Sequence, residues 1–455
     1  MKPAMASPVP NPRRYHRRLY VAMNLTQQQL ETPTLGAARV PSPLKLSNTP
    51  GDGVGDFVPD DSRLLLEPQF RAGQPLCELS LELAGPRDRL FFDPAATKAA
   101  IVTCGGLCPG INNVIRSCVF ELMHNYGVSE VLGIRYGFQG LNPAEGRPPI
   151  SLTPALVEDI HHQGGTMLGT SRGPQEPATT VDYLQSLGVN VLLCIGGDGT
   201  QRGAHAIAEE AARRGVALAV VGIPKTIDND VKFCFSSFGF STAVAEAEQV
   251  IDRAHVEAKS AINGIGLVKL MGREAGFITA SATLASGEAN FCFIPEGPLV
   301  LDGPDGFLAR LKRRLAAREH AVVVVAEGAG QHLLDTENAA DASGNRKLGD
   351  VGVFLRERIE QYLKAEDVPT SVKYFDPSYY IRSLPAAAVD SLLCERFARA
   401  AVHAAMAGKT DMLVGLWHNH LVHVPLAISA GAAKRLDLES ELWMSVLALT
   451  GQEKL

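Results

Sequence analysis

Short, nearly continuous apolar runs recur along the chain: Ala99–Thr103, Glu130–Ile134, Val189–Ile195, Ala217–Ile223, Gly264–Lys269, Ala321–Ala326 and Met412–Leu416. Runs of this length suit strands buried on both faces. Between them lie longer mixed segments that read as helices: Asn112–Asn125, Pro154–His162, Gln201–Arg214, Ser241–Lys259, Glu274–Ser286, Gly306–Arg318 and Val351–Lys364. Strands alternating with helices predict an α/β protein with a mostly parallel sheet. Leu64 to Phe92 lacks clean periodicity and reads as a hairpin leading into the core, and Asp335–Lys347 reads as a surface loop. No internal repeat of fixed period is visible.

Composition alters this picture mainly at the ends of the chain. Hydrophobic residues make up 46% and charged residues 20%, the balance of an ordinary globular protein. A net charge of −6 gives no reason to expect nucleic acid as a partner. No apolar stretch approaches the roughly 18 residues a membrane span needs. The eight cysteines are scattered, and Cys104 and Cys108 lack a second Cys or His pair to complete a zinc pattern. They read as buried reduced thiols. The first 30 residues carry Lys2, Arg13, Arg14, Arg17 and Arg18 without an acidic residue. That suits either an organelle transit peptide or a frayed basic extension, and no apolar core makes it secretory. Residues 1–55, rich in Pro, Ser and Thr, read as poorly ordered, and deleting residues 1–50 is expected to leave folding and turnover intact.

Candidate chemistry is densest at Gly222-Ile-Pro-Lys-Thr-Ile-Asp-Asn-Asp230, directly after a strand. Pro224 fixes its own backbone and holds Ile223 extended, so the strand ends in a stiff turn. In an open parallel sheet, ligands bind beyond the carboxyl ends of the strands. A carboxylate there can accept a proton from a substrate hydroxyl, and Lys225 offers phosphate a point charge. The plainer alternative is a polar loop whose Asp residues cap the next helix.

Glycines cluster near strand ends, at 105–106, 164–169, 196–199 and 272, which suggests loops converging on a phosphate-rich ligand. In Thr103–Asn112, Gly105 and Gly106 allow close backbone approach before a helix N-terminus, although glycine turns after strands are common. In Leu193–Thr200, Gly196, Gly197 and Gly199 clear space for phosphates. Asp198 is the one carboxylate there, as suits a Mg²⁺ that keeps most of its waters, and Thr200 can cap a helix beginning near Gln201. Gly164–Gly173 adds hydroxyls and Arg172, and Met271-Gly-Arg273 ends another strand with a second phosphate-type arginine. Glu296 follows a strand and could bond sugar hydroxyls, while Tyr379 and Arg382 could grip one ligand. His418 and His420 would share a strand face near His423. Without an acidic third ligand, a satisfied or exposed histidine pair is the simpler reading than a metal site.

Taken in this order, the motifs Gly-Gly-Asp-Gly-Thr, Pro-Lys-Thr-Ile-Asp-Asn-Asp, Met-Gly-Arg and Tyr-Tyr-Ile-Arg resemble the phosphofructokinase family. The resemblance is densest from Ala99 to Arg382, continues more loosely to Gly451, and is to the ATP-using branch related to pyrophosphate-dependent enzymes. It implies two Rossmann-like lobes with mostly parallel sheets and an active site in the cleft between them. It also implies transfer of the γ-phosphoryl of Mg-ATP to the 1-hydroxyl of fructose 6-phosphate. Under the resemblance Asp228 is the proton acceptor, and Thr226, Ile227 and Asp230 line the same site. Asp198 is the Mg²⁺ acid. Gly106, Arg172, Gly173, Gly197, Asp198, Gly199 and Thr200 contact the nucleotide. Met271, Gly272, Arg273, Glu296, Tyr379 and Arg382 contact the sugar phosphate. Lys225 and Arg273 join Asp228 in catalysis.

The domain reading that accompanies this is an extension over residues 1–55, an embellishment over 56–98, and a nucleotide-binding lobe with the catalytic loop over 99–235. Residues 236–410 form mainly the sugar-phosphate lobe, and 411–455 a C-terminal strand and extension. A cytoplasmic homo-oligomer, dimer or tetramer, is expected. Two departures from bacterial ATP enzymes stand out: Lys225 replaces a glycine, and Gly264 replaces an arginine that reaches a neighbouring subunit's substrate. The inter-subunit arrangement and effector control are therefore open.

The residues themselves agree with this resemblance, because phosphoryl transfer needs positioning, a metal and charge stabilisation more than covalent chemistry. The rival readings are pyrophosphate as donor, an NAD or lipid kinase sharing Gly-Gly-Asp-Gly-Thr, and a non-catalytic sugar-phosphate-binding subunit. Within the family resemblance, glycine at position 199 accompanies ATP and aspartate accompanies pyrophosphate. A carboxylate there would oppose the donor's α-phosphate.

Overall fold

The computed structural model describes residues 25–70, 72–73, 75–334, 347–431 and 433–452. The basic residues of the first 24 positions and nearly all of the Asp335–Lys347 loop lie outside that set. Among the described residues there are three sheets. The largest has nine strands in the spatial order Arg63–Leu65, Ser80–Leu83, His420–Pro425, Met412–Trp417, Ala219–Pro224, Val191–Gly196, Lys98–Thr103, Glu130–Ile134 and Ile150–Ser151. Its five strands from Met412–Trp417 to Glu130–Ile134 are parallel, and the pairings beyond them on either side are antiparallel. A second, four-stranded sheet runs Phe291–Phe293, His320–Ala326, Gly264–Leu270 and Ser371–Phe375, all parallel. Two parallel-centred sheets give the two lobes; the core of the large sheet continues onto one face of the small sheet through Val268, Leu270, Val322 and Val324, and a separate core fills the other face.

Each strand inferred from an apolar run is present to within two residues at either end. The reason is burial on both faces: Val191–Gly196 and Ala219–Pro224 have no exposed residue, because helices cover both sides of the sheet. Three helices of ten or more residues escaped the sequence reading, Pro177–Ser186, Ala388–Met406 and Glu441–Thr450, as did the single turn Leu426–Ser429. Ala388–Met406 is buried along most of its length and packs on the helix Ile111–Phe120 and the strand Ala219–Pro224. The chain therefore re-enters the first lobe near residue 388, not at 411.

The N-terminal region departs from expectation. Leu25, Leu35, Val40 and Leu44 pack on the core and Leu30 is fully buried, while residues 48–55 are exposed. Leu35 donates its N–H to the Gly408 carbonyl at 2.9 Å, and Thr410 donates to Pro33 at 3.0 Å. Gln27 bonds the Ser80 backbone in both directions, at 3.0 and 3.1 Å. A segment with little apolar pattern is ordered here because its backbone groups find partners far along the chain.

Candidate active site

The carboxyl ends of strands from both large sheets meet around one cavity of about 1060 Å³. From the first lobe come Gly105 and Gly106, Gly197 to Thr200, and Lys225 to Asp228 with Asp230; from the second come Met271, Arg273, Glu327, Asp376, Tyr379 and Arg382. This is the position at which parallel α/β sheets hold ligands.

Three cations from separate elements converge on Gly106. Lys225 is buried, and its ammonium donates to the Gly106 carbonyl at 2.5 Å. A Cβ added at Gly106 would stand 4.0 Å from both Arg172 Nη2 and Arg382 Nη1. Arg382 also lies over the Tyr379 ring, 4.5 Å from its centroid. Two guanidiniums and an ammonium in one low-dielectric recess form a binding place for phosphate oxygens.

The turn carrying the carboxylates is held from within. Asn229 adopts φ +55°, a left-handed conformation that Asn tolerates better than most residues. Its side chain bonds the backbones of Phe235 and Ser237 at 3.1 Å each. Ser237 Oγ donates to the Thr226 carbonyl at 2.6 Å, and Thr226 Oγ1 donates to Asp230 Oδ1 at 2.6 Å. Asp230 is thus partnered. Asp228 lines the cavity, yet its Oδ1 is shielded from solvent and has no hydrogen-bond partner. Burial pushes the Asp228 carboxyl well above the ordinary aspartate range, and the charges of Asp230 and Glu327 add to this, while Lys225 and Arg273 oppose it. Burial raises Glu327 as well, against Arg273 and Lys269.

Asp198 opens the helix Asp198–Arg213 and lines the cavity. Its carboxylate is ion-paired to Arg202 one turn on, and Oδ1 accepts the Gly431 N–H at 2.9 Å. The helix begins three residues before Gln201, so Thr200 sits within its first turn and does not cap it. Gly196 and Gly199 differ in kind. A Cβ at Gly196 would collide with the Thr200 side chain, whereas one at Gly199 would meet only Arg202 Nη2, at 3.7 Å. The backbone needs the first glycine and not the second.

Two residues read as sugar contacts are not on the cavity wall. Gly272 lies behind it with φ +126°, where an added Cβ would stand 2.7 Å from the Ala275 carbonyl oxygen. Glu296 accepts the Gly276 N–H at 3.0 Å, at the start of the helix Phe277–Ser286, and the Leu436 N–H at 2.7 Å. A carboxylate at a helix N-terminus is satisfied there and turned away from the cavity. The glycines at 164–169 are also off the wall: Gly164 packs on the Ser383 carbonyl and Gly169 under the Tyr136 ring. His418 and Asn419 have positive φ and form the turn between Met412–Trp417 and His420–Pro425, so His418 and His420 share no strand face.

The charged wall residues that sequence reasoning did not single out are Glu176, Arg202, Lys269, Glu327 and Asp376. Lys269 bridges Asp376 at 2.9 Å and Asp350 at 3.1 Å. Glu327 was findable, since it directly follows a strand whose carboxyl end faces the same cavity.

A carboxylate with a shielded oxygen where two parallel sheets meet, sharing one cavity wall with an acid at a helix start and clustered cations, defines a phosphoryl-transfer enzyme of α/β build. A profile of the family described as Phosphofructokinase matches residues 98–405. The ATP-dependent 6-phosphofructokinase of Borreliella burgdorferi is 49% identical over 382 residues, covering 82% of this chain and 86% of that protein. The enzyme of the same description from Amycolatopsis methanolica is 46% identical, covering 94% and 96%. That from Trypanosoma brucei brucei is 44% identical, covering 94% and 88%. A crystal structure of pyrophosphate-dependent phosphofructokinase from Marinobacter aquaeolei superposes with a TM-score of 0.64 over 79% of this chain and 92% of that one, and at 20% identity it speaks for the fold alone. The chain belongs to the phosphofructokinase family.

Proposed function

We propose that this chain is an ATP-dependent 6-phosphofructokinase, moving the γ-phosphoryl of ATP to the 1-hydroxyl of fructose 6-phosphate to give fructose 1,6-bisphosphate and ADP. The observation that carries the reading is Asp228: a carboxylate with one oxygen shielded and unpartnered, on the same cavity wall as Asp198 and Arg273. Its raised proton affinity suits it to take the hydroxyl proton as the new P–O bond forms. Lys225, Arg172 and Arg382 would offset charge on the migrating phosphoryl. Arg273, with Tyr379, would seat the sugar phosphate, and Glu327 would accept from sugar hydroxyls.

Asp198 would hold the Mg²⁺ that accompanies the donor, since such an ion takes one or two carboxylates and keeps several waters. Among the described residues no cluster of three or more His, Cys, Asp or Glu offers a full protein cage. Bound there, the ion would neutralise charge on the donor phosphates.

ATP is favoured over pyrophosphate because Gly199 leaves open a place that the backbone would let a side chain fill. Lys225 would serve the transferred phosphoryl whichever donor brings it. Glycolytic work as a cytoplasmic homo-oligomer of two or four copies belongs to the same reading, supported by the family. Among the described residues no helix is long and apolar enough to cross a membrane. The test is a coupled assay for fructose 1,6-bisphosphate with ATP and pyrophosphate in parallel. ATP alone should support turnover, and Gly199→Asp should abolish it. Comparable kcat/KM for both donors in the unmodified enzyme would overturn the assignment.

A further inference from the structure

The turn bearing Asp228 and Asp230 is also held from outside its own loop, by a residue far along the chain. The Lys434 backbone N–H donates to the Asp230 carbonyl at 2.6 Å. Its ammonium donates to the Cys234 carbonyl at 2.6 Å and approaches that of Phe235 at 3.4 Å. One side chain and its own amide therefore close both ends of the segment that follows the candidate base.

The same ammonium lies 4.9 Å from the centroid of the Phe277 ring, which opens the helix Phe277–Ser286 of the second lobe. The next two residues extend the tie. Arg435 pairs with Glu274 at 2.6 Å, and Leu436 is buried and donates its N–H to Glu296 at 2.7 Å. Glu296 in turn holds the Gly276 N–H. A continuous set of bonds thus runs from the catalytic turn of one lobe to the helix start of the other, and Lys434 is its first link. Lys434 is not on the cavity wall, so any effect it has on turnover passes through the turn it holds. Its charge is set chiefly against carbonyl oxygens. Burial draws its pKa down to about 8 against the pull of Asp230.

We propose that Lys434 is a positioning residue for phosphoryl transfer, setting where Asp228 stands relative to the substrate hydroxyl by locking Asp230, Cys234 and Phe235 to the second lobe. This rests on the reading of Asp228 as proton acceptor. A misplacement of about 1 Å at the reacting centre costs on the order of 100-fold in rate, whereas substrate affinity depends on the phosphate grips elsewhere.

The test compares Lys434→Met, Lys434→Arg and Asp228→Asn in the full-length enzyme by kcat, KM for each substrate, and Tm. Lys434→Met should lose roughly 10- to 100-fold in kcat with KM near the unmodified values. Lys434→Arg, which keeps a cationic donor, should recover most of the loss. If Lys434→Met fails to fold, Lys434→Gln against Lys434→Arg carries the same comparison. Unmodified kcat in Lys434→Met beside an inactive Asp228→Asn overturns the proposal and leaves the base assignment standing. So does a Lys434→Met that loses KM and kcat together with Tm. Near-normal turnover in Asp228→Asn overturns the base assignment itself.

Discussion

Two carboxylates of the first lobe have oxygens shielded from solvent, and they resolve the same physical problem in opposite ways. At one side of the large sheet, Glu82 is nearly inaccessible and is met by Lys409 at 2.7 Å, Arg87 at 2.8 Å and His423 at 3.3 Å. Burial alone would raise the Glu82 carboxyl, but His423 and Lys409 outweigh it and hold the group well below the ordinary range. At the carboxyl ends of the strands, Asp228 has an unpartnered oxygen and carboxylate neighbours, and its pKa goes up. A buried charge with its partners supplied is structural. One left short of partners is destabilising, and that shortfall raises the proton affinity that the proposed role as base requires.

The sharpest way to break the comparison is to neutralise each carboxylate. Asp228→Asn should lower kcat roughly 10²- to 10⁴-fold with little change in affinity for fructose 6-phosphate, measured by steady-state kinetics. Glu82→Ala should instead cost about 3–5 kcal/mol of stability, read by denaturant unfolding, and leave the kcat of the folded enzyme intact. Loss of turnover without loss of stability in Glu82→Ala would erase the distinction.

The N-terminal segment braces the Glu82 side. Deleting residues 1–50 should therefore lower Tm, against the expectation from the sequence, because it exposes the slot filled by Leu30 and frees Ser80 from Gln27. Burying a leucine alone is worth about 1.5–3 kcal/mol. An unchanged Tm would show that the segment rests on the core without supporting it.

The smallest effect lies in the pH dependence. Asp228 has a raised folded pKa, so its favourable contribution is present below the unfolded value, near 3.8, and is lost as pH rises through the folded one. Asp228→Asn should therefore gain Tm over the unmodified protein at neutral and alkaline pH, with the gap closing near pH 4. Glu82 has the opposite sign. Its stabilisation is full above the ordinary value of 4.5 and is lost as pH falls towards its depressed folded pKa, so Glu82→Gln should differ from the unmodified protein least in acid.

About half of the cavity wall was legible because phosphate chemistry on parallel sheets is written locally. A buried strand, a stiff or glycine-rich turn and the polar residues after it are contiguous, as in Val191–Thr200 and Ala219–Asp230. The same rule, applied once more after Ala326, would have found Glu327. What the chain alone left undecided was every assignment that depends on where two distant segments meet. Glu296 follows a strand just as Glu327 does, but its strand is at the edge of the small sheet, where the Gly276 and Leu436 amides claim its carboxylate. Leu30 has no periodic neighbours, yet long-range backbone partners order its segment. Local order in sequence determined which residues could do chemistry. Only the packing of the two lobes decided which of them face the cavity, because burial and part of the partner supply come from segments distant in the chain, as Leu436 does for Glu296.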